Sequence, residues 1–419
     1  MNIEQLYKLY SKTYLADTDT RKIRKGSIFF ALKGDNFNGN EFAEEALKSG
    51  ANFVVIDEEK YKTNAKTILV ENVLETLQKL ANFHRKQLAI PIISLTGSNG
   101  KTTTKELINV VLSKKYVTAA TTGNLNNHIG VPLTLLSMTP KTEIGIVEMG
   151  ANHLKEIEFL CKIAEPTYGL ITNFGKAHLE GFGSVEGVIK AKSELYDFLR
   201  LNKGTVFINT DDELQVKQAA GINAVEFSNN FIKFMEANPF VKVRFKNIII
   251  ESNLIGKYNY NNIAVAVAVG NYFDISETDI KIAIENYIPV NNRSQLIQKG
   301  TNKIILDAYN ANPSSMQAAL ENFAQLKDEN KVVFLGDMFE LGTDSKAEHE
   351  KIANLVTSYR FSKVFLIGKA FSATGAKNAF VSESYESFKN STNYSNINNA
   401  TILIKGSRGM ALERLLNLL

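Results

Sequence analysis

The sequence lacks the features on which several classes of protein depend. Its 419 residues contain one cysteine, Cys161, which excludes an intrachain disulfide and a cysteine-based metal cluster. No stretch approaches the ~20 apolar residues needed to cross a bilayer. The first residues, MNIEQLYKLYSKTYL, carry scattered charges and no apolar core of signal-peptide length. These absences predict a cytoplasmic protein without a membrane partner.

An excess of charge of one sign is also missing. Lysine and arginine total 48 against 44 aspartate and glutamate residues, which gives a net charge of +4. So small an excess in a chain of this length does not predict a nucleic-acid partner, although it suits small anionic ligands. The content of 44% hydrophobic and 22% charged residues is typical of a globular protein. The length predicts two or three domains.

Three blocks of strand and helix patterns follow one another, at residues 1–88, 89–291 and 292–419. In each block, short apolar runs typical of buried strands alternate with patterns of helical period. This alternation predicts an α/β fold with parallel sheets and helices on both faces. A β-rich insertion precedes the last helix of the second block, and residues 409–418 are predicted to form the helix that ends the third.

A glycine-containing loop, TGSNGKTTT, follows the first strand of the second block. The usual nucleotide-binding loop has a glycine five positions before its Gly-Lys pair, but here Leu95 occupies that position and the glycine is Gly97. A strand end, small residues and a helix start still predict backbone N–H groups that bind phosphate. Lys101 would contact the β- and γ-phosphates and Thr102 a Mg²⁺ ion, whereas an ordinary strand-to-helix turn is the alternative. The candidate ATP-binding residues of the loop are Gly97, Ser98, Asn99, Gly100, Lys101, Thr102 and Thr103.

Three further polar residues of the second block are candidates for a site. Glu148 ends the run IGIVE, where a carboxylate at the end of a parallel strand can reach a bound metal. His178 follows the next strand, and Lys192 lies on a helical pattern. Considered one at a time, each has an ordinary explanation: a surface carboxylate, a structural histidine and a solvated lysine.

Taken together, these motifs resemble those of the Mur ligases and folylpolyglutamate synthetases, which use ATP to join an amino acid or peptide to a carboxylate. The similarity covers nearly the whole chain. DTRKIRKGSIFFALKGDNFNGNEFAEEALKSGA resembles a UDP-sugar-binding segment, and TGSNGKTTTKELI, NNHIGVPLTLL, VEMGANHLKEI, ITNFGKAHLEGFGSVEGVIKAKSEL and GKYNYNNIAVAVAV match the ATPase domain in order. LDAYNANPSSMQAAL, VVFLGDMFELG and LIKGSRGMALE are similar to the C-terminal domain. The resemblance implies a three-domain architecture with a central parallel-sheet P-loop ATPase domain and a C-terminal Rossmann-like domain.

The resemblance also implies ATP and Mg²⁺ as cofactors and an acyl-phosphate mechanism. Its substrates would be UDP-N-acetylmuramoyl tripeptide and D-alanyl-D-alanine, used by a monomer in cytoplasmic peptidoglycan precursor synthesis. The catalytic residues that it implies are Lys101, His178, Lys192 and Arg293. The metal ligands that it implies are Thr102, Glu148, His178 and Lys192, the last as a carbamate. The further nucleotide contacts are Asn262, Arg293 and Asp307, and the substrate contacts are Thr20, Arg21, Asn126, Asn127, Asn310 and Asn312.

Two positions depart from the family pattern, and some alternatives stay open. Thr20 stands where serine is commoner, and His128 stands where an acidic residue is commoner, which leaves the role of His128 open. The motifs do not distinguish diaminopimelate from lysine at the third peptide position, nor an open from a closed arrangement of domains.

Two other classes of function explain less of the sequence. A P-loop regulatory or motor ATPase accounts for Lys101 and Glu148 but not for the first and third blocks. A non-catalytic binding module needs neither Lys192 nor Arg293. A sister ligase with another amino-acid substrate is a nearer alternative, which the third block decides.

Overall fold

A computed structural model describes residues 1–290, 292–391, 394 and 397–419. Separate sheets lie in the three blocks, so the chain has the α/β, three-domain architecture that the sequence predicts. The last residue of the predicted middle block, Asn291, lies outside the described residues.

The first domain is built on a parallel sheet in the order β1-β2-β5-β6 and a short β3-β4 hairpin. Its strands are β1 (Ala16–Asp17), β2 (Ile28–Phe30), β3 (Lys33–Gly34), β4 (Phe37–Asn38), β5 (Phe53–Ile56) and β6 (Thr67–Leu69), and its helices are α1 (Ile3–Tyr10), α2 (Ala43–Lys48) and α3 (Val73–Leu88). Helix α3 also contacts the middle domain, where the buried Arg85 donates from Nε to the carbonyl of Ala164 at 3.0 Å. This contact fixes the first domain against the second.

The middle domain has a six-stranded sheet in the order β12-β11-β10-β7-β9-β8, parallel throughout. Its strands are β7 (Ile92–Thr96), β8 (Thr118–Ala120), β9 (Ile144–Glu148), β10 (Tyr168–Ile171), β11 (Thr205–Asn209) and β12 (Asn223–Phe227). Its helices along this stretch are α4 (Lys101–Leu112), α5 (Gly130–Leu135), α6 (Glu156–Ala164), α7 (Leu179–Phe182), α8 (Val185–Leu201) and α9 (Glu213–Gln218). The loops after β7, β9 and β10 therefore meet at one edge of the sheet, where α/β proteins bind ligands.

The predicted β-rich insertion is an antiparallel sheet. It consists of β13 (Ile232–Ala237), β14 (Phe240–Phe245) and β15 (Ile248–Ile255), followed by α10 (Tyr260–Tyr272) and α11 (Glu277–Glu285). Helix α10 is apolar on nearly all sides and buried from Ile263 to Gly270, as expected for a helix packed between a sheet and another helix. Its first turn lies beside the phosphate loop, because Asn262 packs against Gly100.

The third domain has a sheet in the order β16-β17-β21-β18-β19-β20, parallel except for the antiparallel edge strand β16. Its strands are β16 (Gln295–Lys299), β17 (Asn302–Asp307), β18 (Lys331–Gly336), β19 (Lys363–Ile367), β20 (Phe380–Ser382) and β21 (Thr401–Lys405). Its α-helices are α12 (Pro313–Gln325), α13 (Ser345–Ser358), α14 (Lys369–Ser372) and α15 (Tyr385–Lys389). The carboxyl ends of β17, β21 and β18 lie side by side.

The prediction of a helix over residues 409–418 is wrong in its type and start. Two 3₁₀ segments, Arg408–Met410 and Leu412–Asn417, occupy this region. Ala411 lies between them with φ of 46°, a left-handed conformation that ends a right-handed helix. Leu412 and Leu415 are still buried, because residues three apart share one side of a 3₁₀ helix.

A span long and apolar enough to cross a membrane is not found among the helices of the described residues.

Candidate active site

The phosphate loop joins the buried strand β7 to α4, as predicted. Gly97 and Gly100 have φ of 142° and 80°, conformations that residues with a Cβ atom rarely adopt. A Cβ atom at Gly97 would lie 2.0 Å from Thr172 Oγ1, and one at Gly100 would lie 2.5 Å from Asn262 Oδ1. Both glycines are therefore required by backbone conformation and by close packing.

Residues that follow β10 hold the phosphate loop in place. The Ser98 N–H donates to the carbonyl of Asn173 at 3.0 Å, and its hydroxyl donates to the carbonyl of Gly175 at 2.7 Å. The Asn99 N–H donates to Asn173 Oδ1 at 3.1 Å, and Thr172 Oγ1 donates to the Asn99 carbonyl at 2.6 Å. The loop is thus preformed, which reduces the ordering that ligand binding requires.

Lys101 begins α4 and lines the cleft that faces the third domain. Its Nζ donates to the carbonyl of Gly97 at 2.6 Å. Burial lowers the pKa of Lys101, and the nearby Arg293 lowers it further, against the opposing effect of Glu148. A cation that is partly desolvated in this way gains strongly from a polyanionic ligand.

Thr102 and Glu148 form a buried oxygen pair beside the loop. Thr102 Oγ1 donates to Glu148 Oε2 at 2.9 Å, and Asn126 Nδ2 donates to Glu148 Oε1 at 2.8 Å. The Glu148 N–H donates to Thr121 Oγ1 at 3.0 Å, which fixes the strand end. A hydroxyl and a carboxylate on the cleft wall fit a hard divalent cation such as Mg²⁺. The described residues contain no cluster of three or more His, Cys, Asp or Glu, so phosphate oxygens would have to complete such a site.

Lys192 is buried on α8, contrary to the usual solvated position of a helical lysine. Its Nζ donates to the carbonyl of Ala151 at 3.3 Å and lies 5.0 Å from the centre of the Phe182 ring. Burial is the main cause that lowers the pKa of Lys192 to about 7; nearby Lys101 lowers it further, and Glu156 and Glu194 oppose the shift. A substantial part of the amine is therefore neutral near pH 7.

His178 precedes α7 in a left-handed conformation with φ of 52° and lines the cleft. Its Nδ1 lies 2.5 Å from Glu340 Oε2 of the third domain. The close contact with the His178 ring holds the pKa of Glu340 below its usual value, although partial burial opposes it. Sequence reasoning named the segment GDMFELG but not Glu340 as the partner of His178.

The third domain is docked against the phosphate loop, an arrangement that the sequence left open. Asn312 Nδ2 donates to Asn99 Oδ1 at 2.8 Å, and the Lys176 N–H donates to Ser314 Oγ at 2.9 Å. Lys176 Nζ also lies 2.6 Å from Glu348 Oε1. These contacts close the cleft on one side.

The nucleotide contacts implied by the family resemblance lie around the same cleft. Asn262 Oδ1 accepts from Thr104 Oγ1 at 3.0 Å. The Arg293 guanidinium stacks 3.6 Å from the centre of the Tyr309 ring. Asp307 Oδ2 lies 2.5 Å from Lys405 Nζ, and its Oδ1 accepts the Ser294 N–H at 3.0 Å. A ribose hydroxyl would therefore compete with, or add to, existing partners of Asp307.

The cleft between the middle and third domains has a volume of about 850 Å³. The predicted site residues that line it are Ser98, Asn99, Gly100, Lys101, Thr102, Thr103, Asn126, Asn127, Glu148, His178, Asn262, Arg293, Asp307, Asn310 and Asn312. Gly97 and Lys192 lie behind this wall. Gly97 contacts the lining residue Lys101, and Lys192 contacts the lining residue Ala151. Tyr258, Tyr309 and Lys405 also line the cleft, although sequence reasoning missed them. A tyrosine or a strand-end lysine carries no local signal that separates a site residue from a core residue.

Thr20 and Arg21 do not line this cleft. They lie in a short 3₁₀ segment of the first domain that begins after Asp19. The Arg21 guanidinium is exposed and paired with Asp19 at 2.8 Å. If these residues bind substrate, they bind a part of it that lies outside the cleft.

Comparison with known proteins gives matches along the whole chain. The matching families are described as Mur ligase family, catalytic domain (residues 14–85), Mur ligase middle domain (95–270), and Mur ligase, glutamate ligase domain (292–408). The UDP-N-acetylmuramoyl-tripeptide–D-alanyl-D-alanine ligase of Bacillus subtilis (strain 168) is 35% identical over 95% of this chain and 91% of its own length.

Solved structures agree with these matches. MurF from Acinetobacter baumannii superposes with a TM-score of 0.85 at 29% identity, covering 96% of this chain and 92% of that one. MurF ligase from Thermotoga maritima in complex with ADP gives a TM-score of 0.83 at 25% identity, covering 96% of both chains.

Proposed function

This chain belongs to the Mur ligase family, and we propose that it joins D-alanyl-D-alanine to UDP-N-acetylmuramoyl tripeptide at the expense of ATP. The observation that carries the proposal is the cleft itself, in which a preformed phosphate loop faces side chains of the third domain. A ligase of this kind needs a nucleotide, a carboxylate and an amine at one place, and the two walls of the cleft offer complementary groups for them. We further propose that the chain works as a cytoplasmic monomer.

The reaction that we propose has two steps. An oxygen of the terminal carboxylate of the tripeptide attacks the γ-phosphorus of ATP, the bond to the β-phosphate oxygen breaks, and ADP leaves. The amine of D-alanyl-D-alanine then attacks the acyl carbon, loses a proton, and expels inorganic phosphate as the amide bond forms. The first step brings a negative carboxylate to the negative triphosphate, and in the second step negative charge develops on the acyl oxygen, so fixed cations favour both steps.

Residues of the two walls have separate tasks in this proposal. Lys101 and Arg293 offset the charge of the phosphates from opposite domains. Thr102 and Glu148 would hold Mg²⁺, which supplies charge neutralisation at the phosphate oxygens. His178 and a carbamate of Lys192 would hold a second ion. Asn262 and Asp307 would orient the adenosine, since amide and carboxylate groups match a base edge and a ribose hydroxyl.

The substrate contacts outside the phosphate loop are proposed in the same way. Asn126 and Asn127 would contact the tripeptide, and Thr20 and Arg21 the UDP moiety bound to the first domain. Asn310 and Asn312 would lie near the dipeptide. The Arg21 guanidinium is exposed and pairs with Asp19 at the surface. Since such a surface ion pair is weak, Arg21 can release Asp19 and bind a pyrophosphate.

Phosphate release tests the proposed function directly. The purified chain with ATP, Mg²⁺ and UDP-N-acetylmuramoyl tripeptide is expected to release phosphate in stoichiometric amount with product only when D-alanyl-D-alanine is added. Mass spectrometry of the product should show the mass of one added dipeptide less one water. Turnover of ATP independent of dipeptide would instead indicate a regulatory or motor ATPase. Turnover with single amino acids but not with the dipeptide would indicate a sister ligase.

Asn312 allows the docking of the third domain to be tested. Asn312 caps α12 through its Oδ1, which accepts the Ser315 N–H at 2.9 Å, and its Nδ2 contacts Asn99 of the phosphate loop. We expect Asn312→Ala to raise the KM for D-alanyl-D-alanine by roughly 2- to 10-fold, the effect of one neutral hydrogen bond, and to change the KM for ATP less. Loss of the cap should also lower the unfolding free energy by about 1 kcal/mol.

The variant Asn312→Asp separates these two effects. Aspartate keeps the capping oxygen but loses the donor to Asn99, so its melting temperature should stay near that of the unsubstituted chain. Its KM for the dipeptide should still rise. A dipeptide KM unchanged in both variants would contradict the assignment of Asn312 to the dipeptide side of the cleft.

A further inference from the structure

Three loops at the carboxyl edge of the third sheet are tied together by one buried serine, Ser407. Its N–H donates to the carbonyl of Asp337 at 3.1 Å, and its Oγ accepts the Phe339 N–H at 2.8 Å. The same Oγ donates to the carbonyl of Ala311 at 3.4 Å. The loops that follow β17, β18 and β21 therefore have fixed positions relative to one another.

Close packing brings the loop that carries Phe339 and Glu340 against the loop that carries Arg408 and Gly409. A Cβ atom at Gly409 would lie 2.7 Å from the Phe339 ring, so the ring lies against the backbone at Gly409. The ring is nevertheless 45% exposed. Glu340, which follows Phe339, reaches His178 of the middle domain, and Arg408 precedes Gly409. This arrangement of Glu340, Phe339 and Arg408 is called the acceptor rim below.

Three cations near the acceptor rim differ in how closely neighbouring groups already bind them. Lys405 is buried and lies 2.5 Å from Asp307 Oδ2, so its charge is balanced inside the domain. Arg293 is stacked on Tyr309 and faces the phosphate side of the cleft. Arg408 is 63% exposed, lies 5.7 Å from the centre of the Tyr309 ring, and is loosely paired with Glu413 at 3.6 Å. Arg408 is thus the cation of the three with most of its donor groups open to a ligand.

We propose that Arg408 binds the terminal carboxylate of the acceptor dipeptide, an inference that rests on the proposed function. A guanidinium presents paired N–H donors that match both oxygens of a carboxylate. The exposed Phe339 ring offers an apolar surface for the methyl groups of alanine. An extended dipeptide is about 7 Å long, so its amine lies well away from Arg408, toward the end of the rim where Glu340 meets His178. His178 at that end lines the cleft that also contains the phosphate loop.

The test compares two acceptors, D-alanyl-D-alanine and its C-terminal carboxamide, in the unsubstituted chain and in Arg408→Ala. We expect the unsubstituted chain to prefer the carboxylate by roughly 10- to 100-fold in kcat/KM, the effect of a charged hydrogen-bonded contact. In Arg408→Ala this preference should largely disappear, through a higher KM for the carboxylate acceptor. The KM for ATP and the carboxamide reaction should change little. Arg408→Lys, which keeps the charge but loses the paired donors, should retain part of the preference.

Arg414→Ala is the matched control. Arg414 belongs to the same domain, its guanidinium lies 3.8 Å from the centre of the Tyr385 ring, and it lies 3.8 Å from Glu386. Tyr385 is not part of the cleft wall, so this variant should keep the full preference for the carboxylate. Unaltered preference in a folded Arg408→Ala variant would overturn the assignment of Arg408 and leave the proposed function intact. Absence of turnover with D-alanyl-D-alanine in the unsubstituted chain would overturn both.

Discussion

Replacing Lys192 with alanine is expected to lower the rate of dipeptide ligation by roughly 10²- to 10³-fold, the range for loss of one charge-stabilising group. Short carboxylic acids added to this variant are expected to restore part of the rate, whereas alkylamines are not. The expectation follows from the proposal that Lys192 acts as a carbamate, an anion with two oxygens that suits a hard cation.

The surroundings of Lys192 favour this modification. Its pKa of about 7 leaves a large part of the amine neutral at pH 7, whereas an ordinary lysine has roughly 0.04% in this form. The neutral nitrogen attacks the carbon of CO₂, an N–C bond forms as the electron pair of one C=O π bond moves to oxygen, and one proton leaves the nitrogen for solvent. The product replaces a buried cation beside Lys101 with an anion, which removes an unfavourable interaction between like charges.

Chemical rescue distinguishes the carbamate from the alternative, an uncarbamylated ammonium that pairs with substrate phosphate. Turnover of Lys192→Ala is measured by phosphate release with and without acetate or propionate, and with ethylamine or propylamine. Rescue by amines alone would contradict the carbamate. Lys190→Ala is the matched control, since Lys190 lies on the same helix but is exposed. It should retain the unsubstituted rate and show no response to either additive.

Substituting Lys101 with methionine is expected to reduce kcat/KM for ATP by roughly 10²- to 10³-fold. Methionine keeps the unbranched stem of the side chain, one atom shorter, but removes the charge that Lys101 brings to the cleft. Lys101 directly follows Gly100, and its Nζ donates to the Gly97 carbonyl. When ATP binds, this ammonium can exchange the neutral carbonyl for phosphate oxygens. Steady-state phosphate release and calorimetric titration with ADP measure the two consequences, slower turnover and weaker nucleotide binding.

Lys114→Met provides the control for Lys101→Met. Lys114 follows the other end of α4, is exposed, and lies outside the cleft wall. It should bind ADP and turn over like the unsubstituted chain. Unchanged ADP affinity and turnover in a folded Lys101→Met variant would show that the loop after β7 does not bind the nucleotide.

The buried lysines show where prediction from sequence stops. Lys192 on α8 and Lys105 on α4 both occupy positions on helices where a lysine is usually solvated. Both are fully buried, and Lys105 donates from Nζ to the carbonyl of Thr121 at 2.5 Å. Local sequence does not encode this burial, because it results from packing by segments more than ten residues away. The family resemblance, rather than the helical pattern, singled out Lys192.

The acceptor side of the cleft illustrates the same limit. Glu340, Tyr309 and Lys405 come from three separate loops or strand ends of the third domain. Each lies in a segment that resembles the family, but the sequence did not single out these side chains. Only the order of the sheet, with β21 inserted between β17 and β18, brings their loops together.

The sequence by itself determined the α/β class, the β-rich insertion and the phosphate loop, because each depends on signals within a few neighbouring residues: apolar period, glycine position and the strand-to-helix change. The tertiary structure alone decided which cations became buried, which carboxylate met His178, and that the third domain lies against Asn99. These features depend on contacts between residues far apart in the chain, where desolvation and charge pairing act on side chains that the sequence does not place side by side.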